Sequence, residues 1–326
     1  MTLVLHIGSH KTGTTAVQRF AAAHRAILRE RGLWYPSYDE IGLPEHYAHH
    51  HFAHAIADAA RGKFDIGDAE RFSAAVRRGR RKGETVLLSA EPIYRHVLKG
   101  PDDYWAQREA YVARLKEMIG TDDVTVLAVF RRQDGFARSL YQEKIKSRKY
   151  AARFRQFLVE QRHEFEYHRQ LSVFAAVFGG VDLLIYEDLR QRGLIDAFFA
   201  HLGIDVSDLG RNAAENRSLP IELVEYKRLL NATRAGKGKL AHVADLLDKR
   251  AATGGLRDHI DWISRQDMEA FCASFDAENE ALRRDFASDH PAPIFPSLEA
   301  APIAELDEYE GMSVHRFAEL TAEIFL

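Results

Sequence analysis

Four short runs of consecutive apolar residues constrain this chain most: 2–7, 85–90 (TVLLSA), 124–130 (VTVLAVF) and 181–186 (VDLLIY). A strand with one face in water alternates apolar with polar. An unbroken apolar run needs cover on both faces, which is the condition of a parallel sheet. Between the runs, stretches 15–31, 68–82, 105–119, 135–148 and 153–178 carry apolar residues at helical spacing. Strands that alternate with helices predict a doubly wound α/β fold, with ligands at the carboxyl ends of the strands. After residue 187 the pattern is almost wholly helical, over 190–202, 219–233, 239–250, 265–286 and 314–325. The Pro-containing segment 290–302 reads as a strap crossing the surface and not as a domain boundary. We therefore expect one domain over 1–326, an α/β nucleotide-binding core at 1–190 with a mainly helical elaboration at 191–326.

A chain of 326 residues can bury a large core. Its formal net charge of −3 gives no global field to recruit nucleic acid or a membrane, so an anionic partner must be met locally. The single cysteine, Cys272, excludes an intramolecular disulfide and a cysteine-based metal cluster, and suits a reducing compartment. It reads as a small buried residue on a helix. No apolar segment with a small-residue cleavage site precedes the first strand, and no apolar run approaches the roughly 18 residues of a membrane span. The expectation is a soluble cytoplasmic protein.

The first apolar run leads straight into LVLHIGSHKTGTTAVQ, residues 3–18. Gly8 and Gly13 punctuate, and Ala16, Val17, Phe20 and Ala21 follow at helical spacing, so Thr12 to Thr15 sit at a helix N-terminus. Free backbone N–H groups and the helix dipole converge there on an anion-sized hollow. A nucleoside-triphosphate loop reads G-x-x-x-x-G-K-[ST], with lysine directly after the second glycine and a hydroxyl next for Mg²⁺. Here Thr14 follows Gly13, and the lysine, Lys11, lies two residues before that glycine. The cation approaches from the other side of the turn, which points to metal-free chemistry. The bland alternative is a threonine-capped helix start.

The order K-T-G-T-T after a strand resembles the phosphosulfate loop of the sulfotransferases that use 3′-phosphoadenosine 5′-phosphosulfate (PAPS). The resemblance implies that Lys11 contacts the 5′-phosphosulfate and its bridging oxygen, and that Thr12, Gly13, Thr14 and Thr15 donate hydrogen bonds to it. It also implies a P-loop-like sulfotransferase fold. Cytosolic small-molecule members carry a tryptophan after the two threonines, where this chain has Ala16. That departure leaves the adenine contact unassigned and is closer to the carbohydrate-modifying branch.

A second motif follows the third run: Arg131-Arg132-Gln133-Asp134, with Ser139 eight positions after Arg131. An arginine fork at a strand end and a serine one or two turns into the next helix converge on one anion, with Asp134 placed to cap that helix. The spacing resembles the 3′-phosphate motif of the same family, for which Arg132 fits only in a slipped register. A strand–helix junction with two solvated arginines is the plain alternative. GLWYP at 32–36, YEDL at 186–189, FFAHLGI at 198–204, NRSLP at 216–220 and Leu230-Asn231 are similar to that family too, over roughly residues 1–235. In NRSLP, Ser218 reads as a helix N-cap with Pro220 in the first turn, and Arg217 as a minor anion contact.

Sulfuryl transfer to an alcohol needs a proton acceptor and cations on the leaving phosphate, a logic parallel to phosphoryl transfer. Lys11 supplies the cation. Glu91, ending the second run in LLSAE before Pro92, is the best base, since the proline holds its carboxylate at the rim. Its alternatives are a helix cap or a partner for an arginine. The cluster His46, His49, His50, His51 and His54 is the rival. His46, His50 and His54 share a helical face, yet no carboxylate or cysteine completes a familiar zinc motif, and 16 histidines make chance clustering easy. His50 or His51 competes as base or acceptor contact. His10 lines the pocket and His6, inside a strand, is packed.

Basic runs at 77–82 and 144–149 read as solvated helix ends, the second as a weak candidate for attracting an anionic glycan. The acceptor is a hydroxyl compound, with a saccharide preferred because of Ala16 and the helical elaboration. Two other classes stand against this reading. One is a nucleotide kinase or NTPase with an atypical loop, and the other is a nucleotide-binding module without catalysis.

Overall fold

The computed structural model describes residues 3–9, 12–58, 64–100, 103–211, 219–256, 260–295 and 307–325. In chain order the elements are β1 (Leu3–His6), α1 (Thr14–Ala23), α2 (Arg25–Glu30), β2 (Leu33–Trp34), α3 (His50–Asp58), α4 (Ile66–Gly79), β3 (Thr85–Ser89), α5 (Pro92–Arg95) and α6 (Tyr104–Ile119). They continue with β4 (Val124–Phe130), α7 (Gln133–Ser147), α8 (Phe154–Glu160), α9 (Tyr167–Phe178), β5 (Gly180–Ile185), α10 (Tyr186–Gln191) and α11 (Leu194–His201). Last come α12 (Ile221–Asn231), α13 (Lys237–Ala251), β6 (Ile260–Asp261), α14 (Arg265–Ala273), α15 (Asp276–Phe286), β7 (Asp307–Glu308) and α16 (Val314–Phe325). None of the helices among the described residues is long and apolar enough to cross a membrane.

The chain divides into two compact units, Met1–Arg131 with Glu166–Ala214 and Glu278–Phe295, and Arg132–Phe165 with Glu215–Ala277 and Pro296–Leu326. The first unit holds a five-stranded sheet in the order β2-β3-β1-β4-β5, every pair parallel. The four apolar runs are β1, β3, β4 and β5, of which β5 lies at the sheet edge with Asp182 exposed. Val4, Leu87, Leu127 and Val129 pack on one face with Val17 and Phe20 of α1, Leu28 of α2 and Phe198 and Phe199 of α11. On the other face Leu5, Val86, Val126 and Phe130 are buried, and Phe130 stacks on Tyr167 of α9 at 4.4 Å and meets Tyr94 of α5 at 5.4 Å. Cover on both faces makes this the doubly wound α/β fold that the pattern predicts. The order reverses around β1, so the carboxyl end of β1 is the topological switch point, where open α/β sheets hold ligands.

The second unit is mainly helical. Tyr141, Phe154 and Trp262 pack edge and face within about 6 Å of each other, with Phe157 beside them. The Asn231 amide donates to the carbonyls of Ile145, Arg148 and Tyr150 at 2.8, 3.2 and 2.8 Å, so α12 satisfies acceptors left over at the end of α7.

Several element boundaries depart from the periodicity. The 15–31 stretch breaks at His24, whose Nδ1 lies 2.9 Å from the Phe20 carbonyl. The 153–178 stretch breaks into α8, a 3₁₀ turn at Arg162–Glu164 and α9. The helix after NRSLP starts at Ile221 with Pro220 itself at the N-cap, two residues later than read from the sequence. Ser218 and Arg217 lie outside the described residues, as does most of the 290–302 strap beyond Phe295.

Candidate functional site

The loop after β1 emerges at the switch point. Ile7 and Ser9 still donate to Leu127 and Val129 of β4, both at 3.0 Å, so the loop departs from a strand that remains paired. Gly13 is the N-cap of α1 with φ 75° and ψ 8°, a left-handed conformation that costs any residue with a Cβ. A Cβ there would also lie 2.2 Å from Leu194 Cδ2, so two independent reasons require glycine.

The threonines do not cap this helix. No side chain caps α1 and no acidic residue stands in its first turn. The Thr12 hydroxyl turns back to donate to the Ser9 carbonyl at 2.7 Å. The first-turn amides have no partner four residues back, and the positive end of the helix dipole faces the same hollow. Gly8 completes the cradle, because a Cβ on it would sit 3.1 Å from Thr12 Oγ1, Thr14 Cγ2 and His6 Nε2. Lys11 and His10 lie outside the described residues.

A buried polar chain runs from beneath this loop to Glu91. Parallel pairing sets His6 opposite Ser89, and His6 Nδ1 lies 2.8 Å from Ser89 Oγ. Gln18, one turn into α1 and fully buried, donates from Nε2 to Ser89 Oγ and to Glu91 Oε2, both at 3.0 Å. His50 Nε2 meets Glu91 Oε2 at 2.5 Å. Glu91 itself is 5% exposed and does not cap α5 with its side chain. His50 is half-buried, the more open member of the pair.

Each clustered histidine has its own partner. His49 is buried, accepting from the Ser89 amide at Nδ1 and donating from Nε2 to the Pro36 carbonyl, at 2.9 and 3.0 Å. Burial pushes it down to about 3, with those backbone contacts opposing. His51 turns to Asp68 at 2.8 Å. His54 Nδ1 meets His96 Nε2 at 2.9 Å, and His46 Nδ1 accepts from the Ala48 amide at 3.1 Å. Among the described residues no three metal-ligating side chains converge. Of the histidines named as rivals to Glu91, His50 is its hydrogen-bonded partner and His51 faces away.

His6, Gln18 and Ser89 were not singled out by the sequence as site residues. His6 is more than packed: it anchors one end of the chain, and burial, opposed by Glu91, lowers it to about 4. The available signal was Gln18, a polar residue among the buried Val17, Phe20 and Ala21 of one helical face.

Arg131 follows β4 in the first unit. Its guanidinium lies 5.2 Å from the Tyr186 ring centroid, and its carbonyl accepts from Tyr167 Oη at 2.9 Å. Ser139 is half-buried on α7 in the second unit. Asp134 does not cap α7, whose N-cap is Arg132. It accepts instead from Arg132 Nε and from Arg138 Nη1, each at 2.6 Å, and Arg138 also binds Asp261. Burial alone would raise the Asp134 carboxyl, but the two guanidiniums outweigh it and hold it below the usual range. Arg132 is thereby engaged by its own helix.

Some members of the basic runs are tied to neighbours, while Arg78, Arg81 and Lys82 are exposed. Arg77 donates to the Ile119 carbonyl at 2.9 Å at the end of α6, and Lys146 pairs with Asp248 at 2.6 Å. Cys272 is half-buried on α14, and burial pushes its thiol up to about 12.

No protein-family model matches the chain, and no curated protein matches it. Among solved structures it is similar to one described as a sulfotransferase from Alicyclobacillus acidocaldarius, at 14% identity and a TM-score of 0.46, over 89% of this chain and 98% of that chain.

Proposed function

We propose that this chain is a PAPS-dependent sulfotransferase that moves a sulfuryl group onto a hydroxyl acceptor. The observation that carries the reading is the coupling of two features at one switch point. A helix starts there without a cap, open to an anion, and Gln18 of that same helix holds the buried Glu91–His50 pair.

The residues present suit a phosphosulfate. The amides of the Gly13 cap and of Thr14 and Thr15 offer donors, and Lys11 supplies charge from the preceding loop. When bound, PAPS supplies an activated sulfur whose bridging oxygen leaves with the 5′-phosphate. The Glu91–His50 pair accepts the acceptor's hydroxyl proton as the new S–O bond forms and the bridging S–O bond breaks. Lys11 and the loop amides stabilise the charge that collects on the departing 3′,5′-bisphosphate. Arg131 and Ser139 are assigned to the 3′-phosphate by their spacing in the sequence. A saccharide remains the preferred acceptor, and a cytoplasmic location the preferred compartment.

Retention on immobilised 3′,5′-adenosine bisphosphate without Mg²⁺ is the expected result, and its absence sinks the reading. Glu91→Gln should abolish transfer while leaving bisphosphate retention nearly intact. Tight ATP binding that requires Mg²⁺ would favour a kinase instead.

A further inference from the structure

His6 ends β1 and is 1% exposed, its ring tilted against Phe198 at a centroid distance of 4.8 Å. One nitrogen is accounted for by Ser89. The other, Nε2, is buried with no hydrogen-bond partner among the described residues. That atom lies at the floor of the loop, 3.1 Å from where a Gly8 Cβ would stand, a spot equally close to Thr12 Oγ1. Buried polar atoms are nearly always paired, so an unmatched one beneath an anion cradle points to a partner that arrives with the ligand.

Counting protons identifies what Nε2 offers. Gln18 Nε2 donates to Ser89 Oγ at 3.0 Å, so Ser89 receives one proton and has one of its own to give. His6 Nδ1, at 2.8 Å, is the acceptor in place for it. A neutral imidazole that accepts at Nδ1 carries its proton on Nε2. The opposite tautomer would leave both the serine proton and the Nε2 lone pair unmatched. Burial keeps the ring neutral, against the opposing charge of Glu91.

We propose that His6 is an anion-binding residue of the loop, donating its Nε2–H to an oxygen of the bound oxyanion. This rests on the loop being an anion site, but not on the anion being a phosphosulfate. It adds a neutral, buried donor to the helix amides. It also joins the anion to the base, since His6, Ser89, Gln18, Glu91 and His50 form one hydrogen-bonded series.

The probe is inorganic pyrophosphate, which has two bridged tetrahedral groups, titrated into the full chain by calorimetry and by side-chain ¹⁵N NMR of the histidines. In the wild type His6 should show the Nε2–H tautomer, and its Nε2 resonance should move on binding. His6→Asn, whose amide reaches only the Nδ1 position, should weaken binding about ten-fold, and His6→Gln, which reaches the Nε2 position, should recover most of it. Wild-type binding with an unmoved Nε2 resonance, or undiminished affinity in His6→Asn, overturns the assignment and leaves the loop reading standing. Failure of the wild type to bind overturns the loop reading and this one with it. Should His6→Asn not fold, the wild-type resonance still decides.

Discussion

Replacing Gly13 by alanine tests whether the loop has the shape described, and the structure separates two costs. The first is conformational: at φ 75° an L-residue is strained by about 1–2 kcal/mol. The second is steric, because the new methyl would meet Leu194 Cδ2 at 2.2 Å and its Cγ and Cδ1 at 3.2 and 3.3 Å. Leu194 packs on the sheet's core cluster and cannot swing away freely, so overpacking adds about 1–3 kcal/mol. Gly13→Ala should therefore cost roughly 2–5 kcal/mol in total. Gly32 provides the control, with φ 87° and nothing within 4 Å of its virtual Cβ, so Gly32→Ala should cost only about 1–2 kcal/mol. Urea unfolding followed by circular dichroism, with slopes compared to check two-state behaviour, measures each loss. In a Leu194→Ala background the Gly13→Ala loss should fall to the Gly32→Ala value. Equal losses at Gly13 and Gly32 in the wild-type background, or no relief from Leu194→Ala, would show that α11 does not press on the loop.

Gln18→Leu removes the donor shared by Ser89 and Glu91. Transfer should slow by about 10²-fold through misplacement of the base, with bisphosphate retention preserved, and a matching loss of retention would instead mark Gln18 as part of the anion site. His6 and His49 are held neutral, at about 4 and about 3 against a usual 6.5. Below pH 6.5 the unfolded chain takes up protons that the folded one refuses, so stability falls as pH drops from about 6.5 to about 4, with a slope near 2–3 kcal/mol per pH unit around pH 5. Urea midpoints that rise on acidification over that window would contradict both assignments. The chain passes between its two units after residues 131, 165, 214, 277 and 295, and we propose that this interleaving makes them one folding unit. Calorimetry should show a single transition, and two resolved transitions would separate them.

Much of the first unit was legible because its signals are local. β1, β3 and β4 announce themselves as apolar runs, and a strand buried on both faces needs no knowledge of its neighbours to read that way, while β5, at the sheet edge, reads as a strand although Gly180 and Asp182 are exposed. β2 has two residues, too few for a pattern to stand out from GLWYP. The long 15–31 and 153–178 stretches keep helical spacing across real breaks, because a turn such as that at His24 preserves which face is apolar.

The candidate site divides along the same line. The phosphate-type loop and the strand-end acid were readable because a glycine at a helix start, or an acid before a proline, carries its meaning within a few residues. The series that joins them was not. Gln18 lies 71 residues from Ser89 and 73 from Glu91, His6 lies 83 from Ser89, and His50 lies 41 from Glu91. Which of five clustered histidines faces the carboxylate depends on how α3 is rotated against the sheet, and one residue along, His51 points to Asp68 instead. Local pattern by itself thus determined that strands, a glycine loop and an acid exist. Parallel pairing of β1 with β3, and the packing of α1 and α3 over their ends, decided that they meet. Hydrogen bonds act over about 3 Å, and only tertiary structure brings residues so far apart in the chain within that reach.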